Sequence, residues 1–197
     1  MNKVKFIGYY TLNTSYAIEA AKLKASLEEL NLDHDIVGVK NLGNWESNTK
    51  MKPRVIKDML DKYPDYSIVY VDSDAIVRSK PELFYSIKED VGVRYQEFSH
   101  REQPECLSGT IYFANNERSK QLCDLWISKC SSTNIKMLAE QSVLPIAIEE
   151  MKAKGLSVMN IPPEYTFIFD TMKKIYPYSD PIIEHFQASR RNRRKVR

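Results

Sequence analysis

The chain has 197 residues, enough for one domain with a buried core, and no apolar run long enough to span a bilayer. Its net charge is +3, but residues 190–197 hold six cations and no anion, which leaves the remainder at −3. A mildly acidic body with a basic tail does not predict a nucleic-acid binder, which carries its basic residues on a folded face. The tail fits a solvated terminus or weak contact with phosphates or an anionic membrane. Cys106, Cys123 and Cys130 are odd in number and lack CxxC spacing, so they read as reduced thiols packed as small hydrophobes. With an N-terminal apolar stretch too short for a secretory signal, the expected compartment is cytoplasmic.

In chain order, the apolar residues 4–10 predict a buried first strand. Thr14 or Ser15 can cap a helix through Tyr16, Ala20, Leu23, Leu27 and Leu30. Residues 35–39 predict a second strand, 41–49 a polar turn, and 50–63 a second helix that Pro64 stops. Residues 68–71 form a continuous apolar run, the pattern of a strand buried on both faces. Further strands are expected at 91–94, 110–113, 157–161 and 181–186, and helices at 118–129 and 135–152. Alternating strands and helices predict an α/β fold, a mostly parallel mixed sheet flanked by helices. The chain reads as one domain over 1–189 with the tail at 190–197.

The strand at 68–71 runs into Asp72-Ser73-Asp74. In an open α/β sheet ligands gather beyond the carboxyl ends of the strands. Two carboxylates two residues apart on extended backbone face one side, and both stay charged there only with a cation or strong donors. Mg²⁺ or Mn²⁺ takes such oxygens and fills its shell with phosphates. Three readings meet this pattern: surface aspartates in a turn, a haloacid-dehalogenase phosphatase, or a nucleotide-sugar transferase. The phosphatase pattern begins at this strand and has a later acidic pair for magnesium. Here two strand–helix units precede Asp72, and Asp170 and Asp180 stand alone.

Several short motifs fall in order around the Asp pair. They are Thr11-Leu-Asn13-Thr-Ser-Tyr16, Lys52, Pro81-Glu-Leu-Phe84, Leu107-Ser108-Gly109, Ala139-Glu140-Gln141 and His185-Phe-Gln-Ala-Ser-Arg-Arg191. Together they resemble the GT-A-fold glycosyltransferases, in particular the retaining glycogenin and bacterial galactosyltransferase-type family. The resemblance implies a single GT-A domain of Rossmann-like, nucleotide-diphospho-sugar transferase type. It implies that Tyr16 stacks on uracil, with Thr11 and Asn13 at the edge of the base. By the same match Lys52, with Arg54 as its competitor, reaches the phosphates or the sugar. Ser73, Ser108 and Gly109 line the donor, and Leu107 stands where the family has a polar residue. Asp72, Asp74 and His185 become the ligands of Mn²⁺ or Mg²⁺, and imidazole favours Mn²⁺. Arg191 takes the place of a diphosphate-binding Lys, while Ala188 replaces the family's Gly. Glu140 approaches the anomeric centre, with Gln141 as the alternative.

The implied reaction moves a hexose from a nucleotide diphosphate sugar, UDP-glucose or UDP-galactose, to an acceptor hydroxyl with retention. The glycan, protein or lipid-linked acceptor is not readable; Tyr95, Glu97, His100 and Arg101 lie where family acceptor loops sit. A non-catalytic nucleotide-sugar or phosphate-binding module is the competing reading.

Overall fold

A computed structural model describes residues 2–132, 139–177 and 179–188. β1 (Val4–Thr11) leads through α1 (Tyr16–Glu29) into β2 (His34–Val39), then α2 (Trp45–Thr49) and α3 (Lys52–Lys62) lead into β3 (Ser67–Val71). β2 and β3 flank β1 in parallel, as helical crossovers require. After β3 come β4 (Ala75–Val77), β5 (Val91–Gln96), β6 (Glu105–Phe113), α4 (Glu117–Ser131), α5 (Glu140–Lys152) and β7 (Val158–Asn160). Last are β8 (Phe167–Ile168), α6 (Met172–Ile175) and β9 (Ile183–His185). The main sheet runs β2-β1-β3-β6-β5-β7, with β6 antiparallel to both of its neighbours. A small sheet, β4-β9-β8, sits beside it.

The central strand shows why its sequence is uniformly apolar. Ile68 and Tyr70 face a core built with α3, α4 and α5, around Ile56, Leu60, Trp126, Leu144 and Ile148. Val69 and Val71 face a second core with Leu23, Leu27, Phe84, Tyr165 and Ile183. A strand buried on both sides has no polar face to alternate with.

The predicted α/β sheet and its helices are present, with differences that have local causes. The predicted turn at 41–49 contains α2, capped by Asn44, whose side chain accepts from the Ser47 amide at 2.7 Å. None of α2 is buried, so no apolar period marked it. β4 is three residues long and exists through pairing with β9, over a hundred positions away. β6 begins at Glu105, five residues before the predicted strand, and β9 is shorter than predicted. Of the helix predicted at 135–152, Glu140–Lys152 is observed; its first residues, and the tail at 190–197, lie outside the described residues.

Candidate functional site

The sheet order places the site. β3 ends at Val71, and Asp72-Ser73-Asp74 forms a turn closed by the Ala75 amide donating to the Asp72 carbonyl at 3.0 Å. The two carboxylates therefore do not project from extended backbone, as their spacing suggested. They converge because the turn feeds β4, whose Ala75 pairs with His185 on β9. One ligand atom each from Asp72, Asp74 and His185 lie within 4.8 Å of one another.

Gly109 makes room for this cluster. A Cβ there would lie 2.9 Å from Cε1 and 3.1 Å from Nδ1 of His185, and 3.4 Å from Oδ2 of Asp72. Nε2 of His185 is held 2.8 Å from Thr110 Oγ1, which leaves Nδ1 for the cluster. Such an outer partner orients a ligating imidazole. Gln187 adopts a left-handed backbone (φ 52°) just after Phe186, and the next amide, that of Ala188, donates to Asp74 Oδ2 at 2.6 Å. Burial pushes the His185 imidazole down to about 4, against the pull of Asp72 and helped by the Lys52 charge, so it is neutral. Burial and then the Asp72 charge raise the Asp74 carboxyl to about 6, despite the Ala188 amide and Lys52. A neutral imidazole beside two crowded carboxyl groups fits a divalent cation that accepts mixed nitrogen and oxygen ligands.

A second constellation adjoins the first. Lys52 opens α3 ahead of Pro53, a residue suited to a first helical turn, and is 3% exposed. Its Nζ lies 2.7 Å from Glu140 Oε1 and 3.1 Å from Asp72 Oδ1. It also donates to the Ser108 hydroxyl (2.9 Å) and carbonyl (3.0 Å), above the Tyr70 ring. Burial alone would lower its pKa; the charges of Asp72 and Glu140 reverse this and raise it. Arg54, the other candidate, is exposed. Tyr70 donates its hydroxyl to Asp72 Oδ1 at 2.7 Å. Glu140, the first residue of α5, is buried and bound to Lys52 and the Ser108 hydroxyl rather than standing free. Gln141 accepts from the Ser108 amide at 3.3 Å and donates to Glu105 at 2.7 Å.

Members of both constellations line a cleft of about 440 Å³, although His185 and Gly109 are not among its lining residues. Of the residues singled out in the sequence, Thr11, Tyr16, Lys52, Asp72, Ser73, Asp74, Ser108, Ala139, Glu140 and Gln141 line it, and Tyr9, Tyr10, Trp45, Asn48, Thr49, Tyr70, Glu105, Ser142 and Gln187 join them. Asn13, exposed with φ 59°, shapes the turn before α1 but is not in the lining. Leu107 packs with Phe167, Ile168 and Met172, so it is a core residue and not a failed sugar contact. Arg191 lies outside the described residues. Tyr95, Glu97, His100 and Arg101 do not line the cleft; Arg101 pairs at 3.2 Å with Glu105, which does. The additional residues carry no motif. Only Gln187, following the His-Phe pair, lay inside a segment already marked.

The sequence profile of nucleotide-diphospho-sugar transferases matches residues 37–197, most of the chain. The chain belongs to this family. No curated protein sequence matches it significantly. Among solved structures, the fold is similar to a glycosyltransferase involved in the glycosylation of the major capsid of PBCV-1. The TM-score is 0.74 at 12% identity, covering 98% of each chain. It is also similar to the glycosyltransferase GlyE of Streptococcus pneumoniae TIGR4. That TM-score is 0.62 at 13% identity, covering 94% of this chain and 55% of that one. The apo form of GlyE gives 0.65 at 14% identity, again with the chain spanning 55% of the longer protein. Family and fold agree with a GT-A-type glycosyltransferase, and family membership sets the phosphatase reading aside.

Proposed function

We propose that this nucleotide-diphospho-sugar transferase is a cation-dependent hexosyltransferase. It takes a uridine diphosphate sugar, glucose or galactose, as donor and transfers the hexose to an acceptor hydroxyl with retention. The observation that carries the proposal is the convergence of Asp72, Asp74 and His185 beside the cleft. These three would hold Mn²⁺ or Mg²⁺, which supplies neutralising charge for a leaving diphosphate.

The chain's own residues supply the rest. Lys52 holds the Asp72 and Glu140 carboxyl groups side by side through its ammonium. Glu140 and Gln141 line the cleft beside Ser108, and in this proposal they face the sugar, where the Glu140 charge stabilises a cation-like transition state. Ser108 fixes both of them through its hydroxyl and amide. Arg191 adds positive charge near the diphosphate in this proposal, and the basic tail offers weak contact with an anionic membrane. The three cysteines are free and buried, which suits a reducing, cytoplasmic setting.

The test is turnover. With Mn²⁺ and UDP-glucose or UDP-galactose, the purified protein should release UDP and give a product whose anomeric proton NMR signal keeps the donor configuration. Glu140→Gln should lower kcat about 100-fold or more while donor affinity changes only a few-fold. Donor binding without release would make the protein a non-catalytic binding module. An inverted product would contradict retention.

A further inference from the structure

We infer that Trp45 is the second aromatic wall of the donor's base subsite and, resting on the reading above, a determinant of nucleotide affinity that no motif marks. The order β2-β1-β3-β6 lays the cleft out in sequence. Asp72 and Asp74 follow β3 and stand in the middle. On the β6 side the lining is made of hydrogen-bonding groups, among them Glu105, Ser108 and Gln141. On the β1–β2 side three aromatic rings, Tyr10 at the end of β1, Tyr16 opening α1 and Trp45 opening α2, stand beside Thr11, Asn48 and Thr49.

A nucleoside diphosphate sugar has its charged diphosphate in the middle and two chemically different arms. A hexose offers hydroxyl groups that need many polar partners. A base offers flat faces that aromatic rings cover, at no cost in unpaired polar groups. With the diphosphate at the Asp pair, the base falls on the aromatic side.

Trp45 is held at the cleft without belonging to either large core. None of α2 is buried, so this helix contributes nothing to the core. It is nevertheless pinned. Tyr9, at the cleft floor, donates its hydroxyl to the Asn48 carbonyl at 2.8 Å, and Asn48 accepts from the Leu42 amide at 2.8 Å. Trp45 is half-buried and lines the cleft, yet it packs into none of the hydrophobic cores, so its indole stands at the wall of the space a ligand would fill. Tyr10 is set by Gly38, where a Cβ would come within 3.2 Å of its ring.

Trp126, the chain's other tryptophan, is fully buried and donates to the Glu140 carbonyl, so the two indoles can be separated by substitution. Emission would be followed in wild type and Trp45→Phe during titration with UMP, UDP and inorganic diphosphate, each with Mn²⁺, and affinities of Trp45→Leu measured by calorimetry. UMP and UDP should change wild-type emission through Trp45, and Trp45→Phe should lose that change while keeping affinity within about threefold. Trp45→Leu should bind UDP about tenfold more weakly and inorganic diphosphate as wild type does, the size expected for one lost base-stacking partner. If Trp45→Leu binds UDP as tightly as wild type, or loses diphosphate by the same factor, Trp45 is not a base wall and the inference fails while the donor site stands. If the wild type binds neither UMP nor UDP, the donor reading itself fails and takes the inference with it.

Discussion

Lys52 is the residue on which the polar centre depends. It is the cation that Asp72 and Glu140 share, and both carboxylates lose that partner if it is removed. Breaking a buried pair from one side is far more costly than replacing both partners. Lys52→Met should therefore destabilise the fold by about 3–5 kcal/mol, read as a shift in urea midpoint. An unchanged midpoint would mean that water or rearrangement already satisfies Asp72 and Glu140. Gly109 acts differently, through the space it leaves. In Gly109→Ala the new methyl overlaps Cε1 of His185, and the ring, held by Thr110, has little freedom to yield. Mn²⁺ affinity should fall about tenfold, as when an outer partner of a ligand is disturbed. The same overlap should cost about 1–3 kcal/mol of stability, and calorimetry with Mn²⁺ alone, on protein that is still folded, reads the affinity difference. Equal affinity in the two proteins would remove His185 from the ligand set.

At the scale of elements, Asp90 ties three pieces of the sheet's far side together. Its carboxylate accepts from the Ser157 amide and hydroxyl ahead of β7, both at 2.8 Å, and from Asn116, the cap of α4, at 2.7 Å. Burial pushes its pKa up, but the Ser157 and Asn116 donors and the Arg118 charge outweigh that and hold it below the usual range. A depressed folded-state pKa gives stability that is present above the unfolded value near 3.9 and lost as pH falls through the folded one. Asp90→Asn should thus be less stable at neutral pH by about 1–3 kcal/mol. It should also lose less than wild type on acidification below about pH 4, measured by urea unfolding across pH. Parallel pH profiles would contradict this role. The elements themselves were legible wherever burial imposed a period or a continuous apolar run, as at 68–71 and along α3. They were not legible where long-range pairing or a bulge decides. β4 and β9 each need the other. The register between β5 and β6 shifts between Gly92 and Arg94, so Ser108 meets Lys52 while Thr110 meets His185, an arrangement strict alternation would not give. The metal-type triad was legible only through a motif resemblance, because no spacing links Asp72 to a residue 113 positions later.

For the molecule as a whole, the main sheet sets a cleft at the carboxyl ends of its parallel strands, with aromatic groups, carboxylates and hydrogen-bonding groups in the order β1, β3, β6. Among the described residues no helix is long and apolar enough to cross a membrane. The central claim is that this cleft binds a nucleotide sugar through a cation held by Asp72, Asp74 and His185. Calorimetry of UDP-glucose and UDP-galactose with and without Mn²⁺, in wild type and in Asp74→Asn, tests it most directly. The account predicts binding of at least one donor that requires Mn²⁺ and falls by about 100-fold or more in Asp74→Asn, as expected when a charged ligand is removed from a half-buried cation site. Donor binding that is equally tight without the cation, or unchanged in Asp74→Asn, would contradict it.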